Sequence, residues 1–243
     1  MDRLAEVTRW IAAHRPERVA VLTGAGISAE SGLSTFRSAG GYDERVITLA
    51  SPREFERDPA GVWQWYEARR ADMRSAEPNA AHRALASLES LPAGDTKIIT
   101  QNIDMLHTRA GSSDVIELHG NAFRARCTRD QKIVSIPDRR PSLPPRCECG
   151  AMLRPDVVWF GEPIDATAMN LAAIAVEICD LFLIVGTSGL VSPACELVTI
   201  ASNALIVEIN PEGTPMSSSC HVSLRMKATA VVPAIAEAIR ACS

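Results

Sequence analysis

The sequence predicts an α/β protein: a Rossmann-like, doubly wound parallel sheet carrying a small lobe built from insertions. Three observations predict it. Short β-branched apolar runs alternate with amphipathic stretches of helical period. The first run ends in a glycine-rich turn, and two stretches, about 32–78 and 126–154, break the alternation. With 243 residues the chain can bury a full core but is short for two independent domains. It reads as a single domain, 1–243, whose core comprises about 1–31, 79–125 and 155–243.

The elements follow in order. A helix over Leu4 to His14 leads to a strand at Val19 to Leu22, and helices are expected at Pro59 to Arg74 and Ala80 to Ser90. Strands follow at Ile98 and Ile99, Val115 to Leu118 and Val157 to Phe160, then a helix at Ala166 to Cys179. The strands Leu181 to Val185 and Leu205 to Ile209 flank a helix at Pro193 to Ser202, and a last helix covers Val231 to Ala241. The strands are apolar throughout rather than alternating, which is the pattern of a parallel sheet covered on both faces. The first insertion shows no strand. The second is polar, rich in Pro and Arg, and holds Cys127, Cys147 and Cys149.

Composition narrows the function classes. A net charge of -4 with mixed signs leaves no basic stripe for a nucleic-acid backbone. Asp2, Arg3, Glu6 and Arg9 interrupt any secretory apolar core, and no apolar run reaches the ~20 residues of a membrane span. A cytoplasmic location is expected, with no membrane partner. Seven cysteines, an odd number, favour thiols or metal ligands over a disulfide framework.

The turn Gly24-Ala25-Gly26-Ile-Ser-Ala29 is a GxGxxA sequence after a strand, where small residues permit a tight turn and let backbone N–H groups approach a pyrophosphate. A glycine turn that merely joins strand to helix has the same spacing. No strand ends in an acidic residue ~20 positions on, which disfavours an ordinary hydride-transfer dehydrogenase.

Further blocks carry a family resemblance. Gly24 to Gly32 continues into Thr35-Phe36-Arg37 and Gly40-Gly41. Then come Thr100-Gln101-Asn102-Ile103-Asp104 with Leu106-His107, Glu117-Leu-His119-Gly120, and Leu153 to Glu162. Gly186-Thr187-Ser188 with Pro193-Ala194, Glu208-Ile-Asn210-Pro-Glu212, and Lys227-Ala228 complete the order. In that order they resemble the sirtuin family from about Val19 to Pro233.

The resemblance implies an NAD-dependent lysine deacylase acting on acylated lysine side chains of proteins, with NAD consumed. In such enzymes the acyl oxygen attacks the nicotinamide ribose carbon and nicotinamide leaves. A histidine then deprotonates a ribose hydroxyl, and water releases lysine and O-acyl-ADP-ribose. His119 matches that base, and its near-neutral intrinsic pKa suits the task; Asn102 is taken as its catalytic companion. Gly24, Ala25, Gly26, Ala29, Phe36 and Arg37 match the cofactor loop, with Phe36 shielding the reactive carbon from water. Gln101, Asn102, Ile103 and Asp104 match the ribose and nicotinamide pocket. Gly186, Thr187 and Ser188 match the phosphate and adenosine-ribose side, Asn210 and Glu212 the adenosine end, and Ala228 the adenine wall. Two other readings stand beside this one: a mono-ADP-ribosyltransferase, and a module that binds NAD without turnover.

The chain departs from the family pattern at Ser34, at Asp43 and in the zinc module. There Cys127, Asp130, Cys147 and Cys149 replace two Cys-x2-Cys pairs, with Asp130 as the fourth ligand of a structural zinc or as the mark of a lost metal. Tyr66 and Arg69, three apart on one helical face, resemble the Tyr-x-x-Arg pair of class III sirtuins that binds succinyl, malonyl and glutaryl chains. A fork-shaped guanidinium and one phenol suit a carboxylate. The same spacing also fits an amphipathic helix with an aromatic core side and a solvated arginine.

Overall fold

In a computed structural model, residues 3–35, 37–38, 41–42, 44–91, 95–136 and 143–242 are described. The helices are α1 (Arg3–His14), α2 (Ala25–Ala29), α3 (Glu44–Leu49), α4 (Pro52–Arg57), α5 (Pro59–Ser75), α6 (Ala80–Leu88), α7 (Leu106–Arg109), α8 (Ala166–Glu177) and α9 (Ala228–Arg240). The strands are β1 (Arg18–Thr23), β2 (Arg37–Ser38), β3 (Gly41–Tyr42), β4 (Asp95–Thr100), β5 (Val115–Glu117), β6 (Gly120–Cys127), β7 (Ile133–Ser135), β8 (Leu153–Val157), β9 (Leu181–Val185), β10 (Leu205–Ile209) and β11 (Val222–Leu224).

The main sheet is six-stranded, with order β11-β10-β9-β1-β4-β5 and every pairing parallel. From β1 the chain steps outward to β4 and β5, then returns to the other side of β1 with β9, β10 and β11. This is the doubly wound order, and its switch point lies between β1 and β9. Strand periodicity divides the core. Val19, Val21, Leu181, Leu183 and Val185 face the layer that holds α1, α6 and α9. Ala20, Leu22, Phe182 and Ile184 face α8 and the 3-10 turn Ala194–Thr199. Burial on both faces is why these strands read as unbroken apolar runs.

The small lobe has its own core. Val62, Trp63, Tyr66 and Met73 of α5 pack on Ala122, Ala125 and Cys127 of β6 and on Leu153 of β8. Capping fixes where its helices begin: Ser51 accepts from the Glu54 N–H ahead of Pro52, and Asp58 from the Gly61 N–H ahead of Pro59. Arg70, fully buried, donates to the Ala122 carbonyl at 3.0 Å and pairs with Glu67.

Some expected elements differ: the first insertion, where no strand is expected, holds the two-residue strands β2 and β3, paired antiparallel. The run Val157 to Phe160 is not a strand of the main sheet; β8 ends at Val157 and pairs antiparallel with β6. In the order β7-β6-β8 it is an edge strand, which tolerates Pro155. The lobe's sheet spans Gly120 to Val157, wider than the expected 126–154. The expected helix at Pro193 to Ser202 is the 3-10 turn, α9 begins at Ala228 rather than Val231, and β11 gave no sequence signal at three residues. Among the described residues no helix is long and apolar enough to cross a membrane.

Candidate active site

The carboxyl ends of β1, β4, β5, β9 and β10 all open on one edge of the sheet, and every cofactor residue expected after a strand follows one of these ends. Gly24 and Gly26 meet Gly186 across the switch point. A Cβ on Gly26 would lie 2.7 Å from the Gly186 Cα, one on Gly24 2.8 Å from the Thr187 Cα, and Gly186 itself has φ +61°. Only glycine allows backbone to lie on backbone this closely. The Gly26 N–H donates to the Gly186 carbonyl at 2.8 Å and the Gly24 N–H to Val185 at 3.1 Å. Two backbone N–H groups of the turn thus join the two loops. Ala25 is half-buried between them, and Ala29 is exposed at the end of the short α2, outside this packing.

The segment after β4 braces the same turn. Gln101 donates to the Thr187 hydroxyl at 2.8 Å, and the Asn102 amide donates to the Gly24 carbonyl at 3.1 Å and to Ser28 at 3.3 Å. Asp104 accepts from Ser28 at 2.7 Å and from the Leu106 N–H at 2.9 Å. Burial raises the Asp104 pKa, and those two donors oppose the rise. Ile103 instead packs into the small-lobe core, its carbonyl accepting from the Ala122 N–H at 3.1 Å, so this short segment joins sheet and lobe.

His119 follows β5, and its Nδ1 lies 3.0 Å from the Gln101 carbonyl oxygen. A carbonyl only accepts, so Nδ1 carries the hydrogen and Nε2 keeps its lone pair. Burial lowers the His119 pKa, more than the Gln101 carbonyl raises it. The ring is therefore neutral at pH 7, the form a general base requires. On the other side of the switch point, Asn210 donates to the Thr187 carbonyl at 2.8 Å and accepts from the Glu212 N–H at 3.3 Å. Ser188 is half-buried, Glu212 is exposed, and Ala228 is buried at the start of α9. Phe36, Asp43 and the side chain of Arg37 lie outside the described residues.

Ser28, Thr23 and His107 have parts in this network that no local pattern assigns. Ser28 is the hub between Asn102 and Asp104. Thr23 reaches Thr100 at 2.9 Å and the His107 Nε2 at 3.0 Å. A polar residue directly after an apolar run, Thr23 after Val19 to Leu22 and Thr100 after Ile98 and Ile99, is the available signal.

In the lobe, the ligand atoms of Cys127, Asp130, Cys147 and Cys149 all lie within 4.8 Å of one another, and the Cys127 and Cys149 sulfurs are 3.5 Å apart. Tetrahedral zinc with bonds near ~2.3 Å needs ligands about 3.8 Å apart, so the set fits. The short Cys147-Glu-Cys149 spacing works because Cys147 exchanges backbone bonds with Ala151 and Gly150, at 2.8 Å each, around Gly150 at φ +83°. Tyr66 is buried, its hydroxyl oxygen accepting from the Trp159 Nε1 at 3.0 Å. Arg69 is half-buried with its guanidinium 5.3 Å from the Trp65 ring centre, and burial lowers its pKa.

Fold and site together define a doubly wound α/β protein whose sheet opens, at its switch point, onto the glycine turn between β1 and α2. The Sir2 family is matched over residues 24–193, and the chain belongs to it. A protein of Aeropyrum pernix named NAD-dependent protein deacylase is 48% identical over 212 residues, covering 85% of this chain and 86% of the relative. One of the same name from Thermus thermophilus is 46% identical, covering 93% and 91%. Among solved structures, a Sir2 homolog in complex with NAD is 40% identical, with TM-score 0.87 over 98% of this chain and 95% of that one. A Sir2 complex with a p53 peptide and NAD+ is 32% identical, with TM-score 0.83 over 98% and 97%.

Proposed function

We propose that this chain is an NAD-dependent protein lysine deacylase that removes succinyl, malonyl and glutaryl groups as well as acetyl. The observation that carries the reading is the His119 ring: neutral, with its tautomer set by the Gln101 carbonyl so that Nε2 is the free base. NAD supplies the ribose carbon to which the acyl oxygen adds, with nicotinamide as leaving group. His119 takes the proton of a ribose hydroxyl at Nε2. Gln101, Asn102, Ile103 and Asp104 form the nicotinamide-ribose side, and Asn102 helps hold the reacting sugar. Gly24, Ala25, Gly26, Phe36, Arg37, Gly186, Thr187 and Ser188 serve the phosphates and riboses, and Asn210, Glu212 and Ala228 the adenosine end. One zinc on Cys127, Asp130, Cys147 and Cys149 holds the lobe together.

The acidic-acyl preference rests on Tyr66 and Arg69 sharing one face of α5. A succinyl carboxylate accepts two parallel N–H bonds from Arg69 and one O–H bond from Tyr66, and an acetyl group reaches neither. Charge-assisted bonds contribute ~1.5 to 3 kcal/mol each, so succinyl should exceed acetyl by roughly one to three powers of ten in kcat/KM. The test incubates acetyl, succinyl, malonyl and glutaryl lysine peptides with NAD and weighs the products, for the native enzyme and for Arg69→Met. Nicotinamide, free lysine and O-acyl-ADP-ribose are expected in equal amounts. Desuccinylation should collapse in the variant while deacetylation holds. Parallel losses on both peptides would withdraw the acyl assignment. Label from NAD fixed on protein with the acyl group retained would make the enzyme a transferase, and no nicotinamide release would make it a binding module.

A further inference from the structure

The loop that follows β8 is tied into one unit with the lobe core. Arg154 donates to the Glu162 carboxylate from both Nη atoms, at 2.5 and 2.8 Å, and its guanidinium lies 3.5 Å from the centre of the Trp159 ring. Glu162 also accepts the Trp159 backbone N–H at 2.9 Å, and the Phe55 ring meets the indole at 5.2 Å. Trp159 and Tyr66 are 2% and 1% exposed, and the indole Nε1–H donates to the Tyr66 hydroxyl at 3.0 Å.

We propose that Trp159 is a positioning residue for acyl selectivity, its indole N–H committing the Tyr66 hydroxyl to donate its own hydrogen to an acidic acyl group. The proposal rests on the acidic-acyl reading above. A phenol has one donor and two acceptor sites, whereas an indole N–H can only donate. The Tyr66 oxygen therefore accepts at this contact and its hydrogen must go elsewhere. Among the described residues, Tyr66 has no hydrogen bond in which that hydrogen is given. A buried donor without an acceptor is costly, and a ligand oxygen removes the cost. An acceptor in place of the indole would reverse the polarity: it would consume the phenol hydrogen and turn lone pairs toward an incoming carboxylate. Burial also raises the Tyr66 pKa, which favours keeping the hydrogen on the phenol. Arg154, Glu162 and Phe55 hold the indole so that this polarity is fixed before the substrate arrives.

The test is Trp159→Phe, which keeps an aromatic ring for Arg154 and Phe55 and removes the N–H together with part of the buried ring volume, a loss that acts on every acyl peptide alike. For a succinyl-lysine peptide, KM should rise about 3- to 10-fold, the effect of one hydrogen bond, with kcat unchanged. Both acetyl parameters should stay at native values. Tyr66→Phe should show the same succinyl-specific loss, and the double variant should lose no more than either single one. Equal losses on succinyl and acetyl peptides in Trp159→Phe, with the native enzyme still preferring succinyl, would overturn the positioning role and leave the acyl reading intact. A native enzyme with no acidic-acyl activity would overturn both. An activity-free check uses the indole ¹⁵N resonances of the four tryptophans. The one absent from Trp159→Phe should shift upfield in Tyr66→Phe, and an unmoved resonance would also overturn the proposal.

Discussion

The carboxyl edge of the sheet and the small lobe solve opposite problems. At the sheet edge, the groups that brace the turn are matched within the chain: Asp104 has two donors, the Asn102 amide has two acceptors, and Gly26 is bonded across to Gly186. The lobe leaves valences for something from outside. Three thiols and a carboxylate converge, and the Tyr66 hydrogen has no acceptor among the described residues. A preorganised edge holds its geometry within the chain, whereas the lobe offers a set of metal-ligand atoms and a phenol hydrogen. Perturbations should therefore separate the two regions.

The largest separation should come from metal removal. Structural zinc in small modules contributes on the order of 10 kcal/mol to their folding. Purified protein should hold about one zinc per chain. Chelation should melt the lobe while the sheet keeps its cooperative transition at higher temperature. Metal-free protein with one unchanged transition would show that packing alone holds Cys127, Asp130, Cys147 and Cys149 in place.

Next in size is His119→Ala, which should lower kcat by about 10²- to 10⁴-fold, the range of a single general base. NAD affinity should hold, because among the described residues the ring is hydrogen-bonded to the Gln101 carbonyl alone and braces no other part of the edge. Since burial lowers the His119 pKa, the acid limb of the native kcat/KM profile should lie below pH 6.5. A limb above that value would assign the base elsewhere.

A third test concerns the back of the sheet edge. His82 and His107, 0% and 2% exposed, meet edge to face at 4.9 Å, and burial pushes their pKa values down to about 4 and about 3. Both folded values lie below 6.5, so the unfolded chain binds more protons once pH falls below 6.5. Their contribution to stability is whole above that pH and is lost on the way down. By pH 5 the loss is up to about 2 kcal/mol per ring, before carboxylates titrate. Urea midpoints at pH 7 and pH 5 should differ accordingly, and His82→Gln should flatten the difference. Equal midpoints in the native protein would place solvent or a counter-charge at the rings.

Much of this was legible in the sequence because the sheet is buried on both faces: unbroken runs such as Leu181 to Val185 mark the strands, and small residues mark the switch point. The missing acidic residue ~20 positions after the turn has a plain cause, since the insertion delays the next core strand to Asp95. Less legible was where backbone donors go. The spacing of Gly24 and Gly26 suggests room for a phosphate, whereas they first make room for Gly186. The lobe's sheet was also missed, since β6 carries Arg124 and Arg126 outward to Asp156 and so has no apolar run. The roles of Thr23, Ser28 and His107 are not legible because their partners are 77, 76 and 84 residues away, beyond any local pattern.

The smallest test sets one glycine of each region against the other. Gly186 and Gly150 both have positive φ, +61° and +83°. The backbone strain of replacing either with alanine is similar, about 1 to 2 kcal/mol. Their surroundings differ. A Cβ on Gly186 would lie 2.6 Å from the Gly26 carbonyl carbon, in backbone that cannot give, whereas nothing lies within 4 Å of one on Gly150. Gly186→Ala should thus cost a further ~1 to 3 kcal/mol of overpacking and push Gly24 and Gly26 out of register, weakening NAD binding with it. Gly150→Ala should show the strain alone and leave NAD affinity unchanged. Chemical denaturation and calorimetric NAD titration of both variants decide the matter. Equal destabilisation with NAD affinity intact in both would mean that the switch-point contact yields as easily as the zinc knuckle, and the preorganisation ascribed to the sheet edge would not hold.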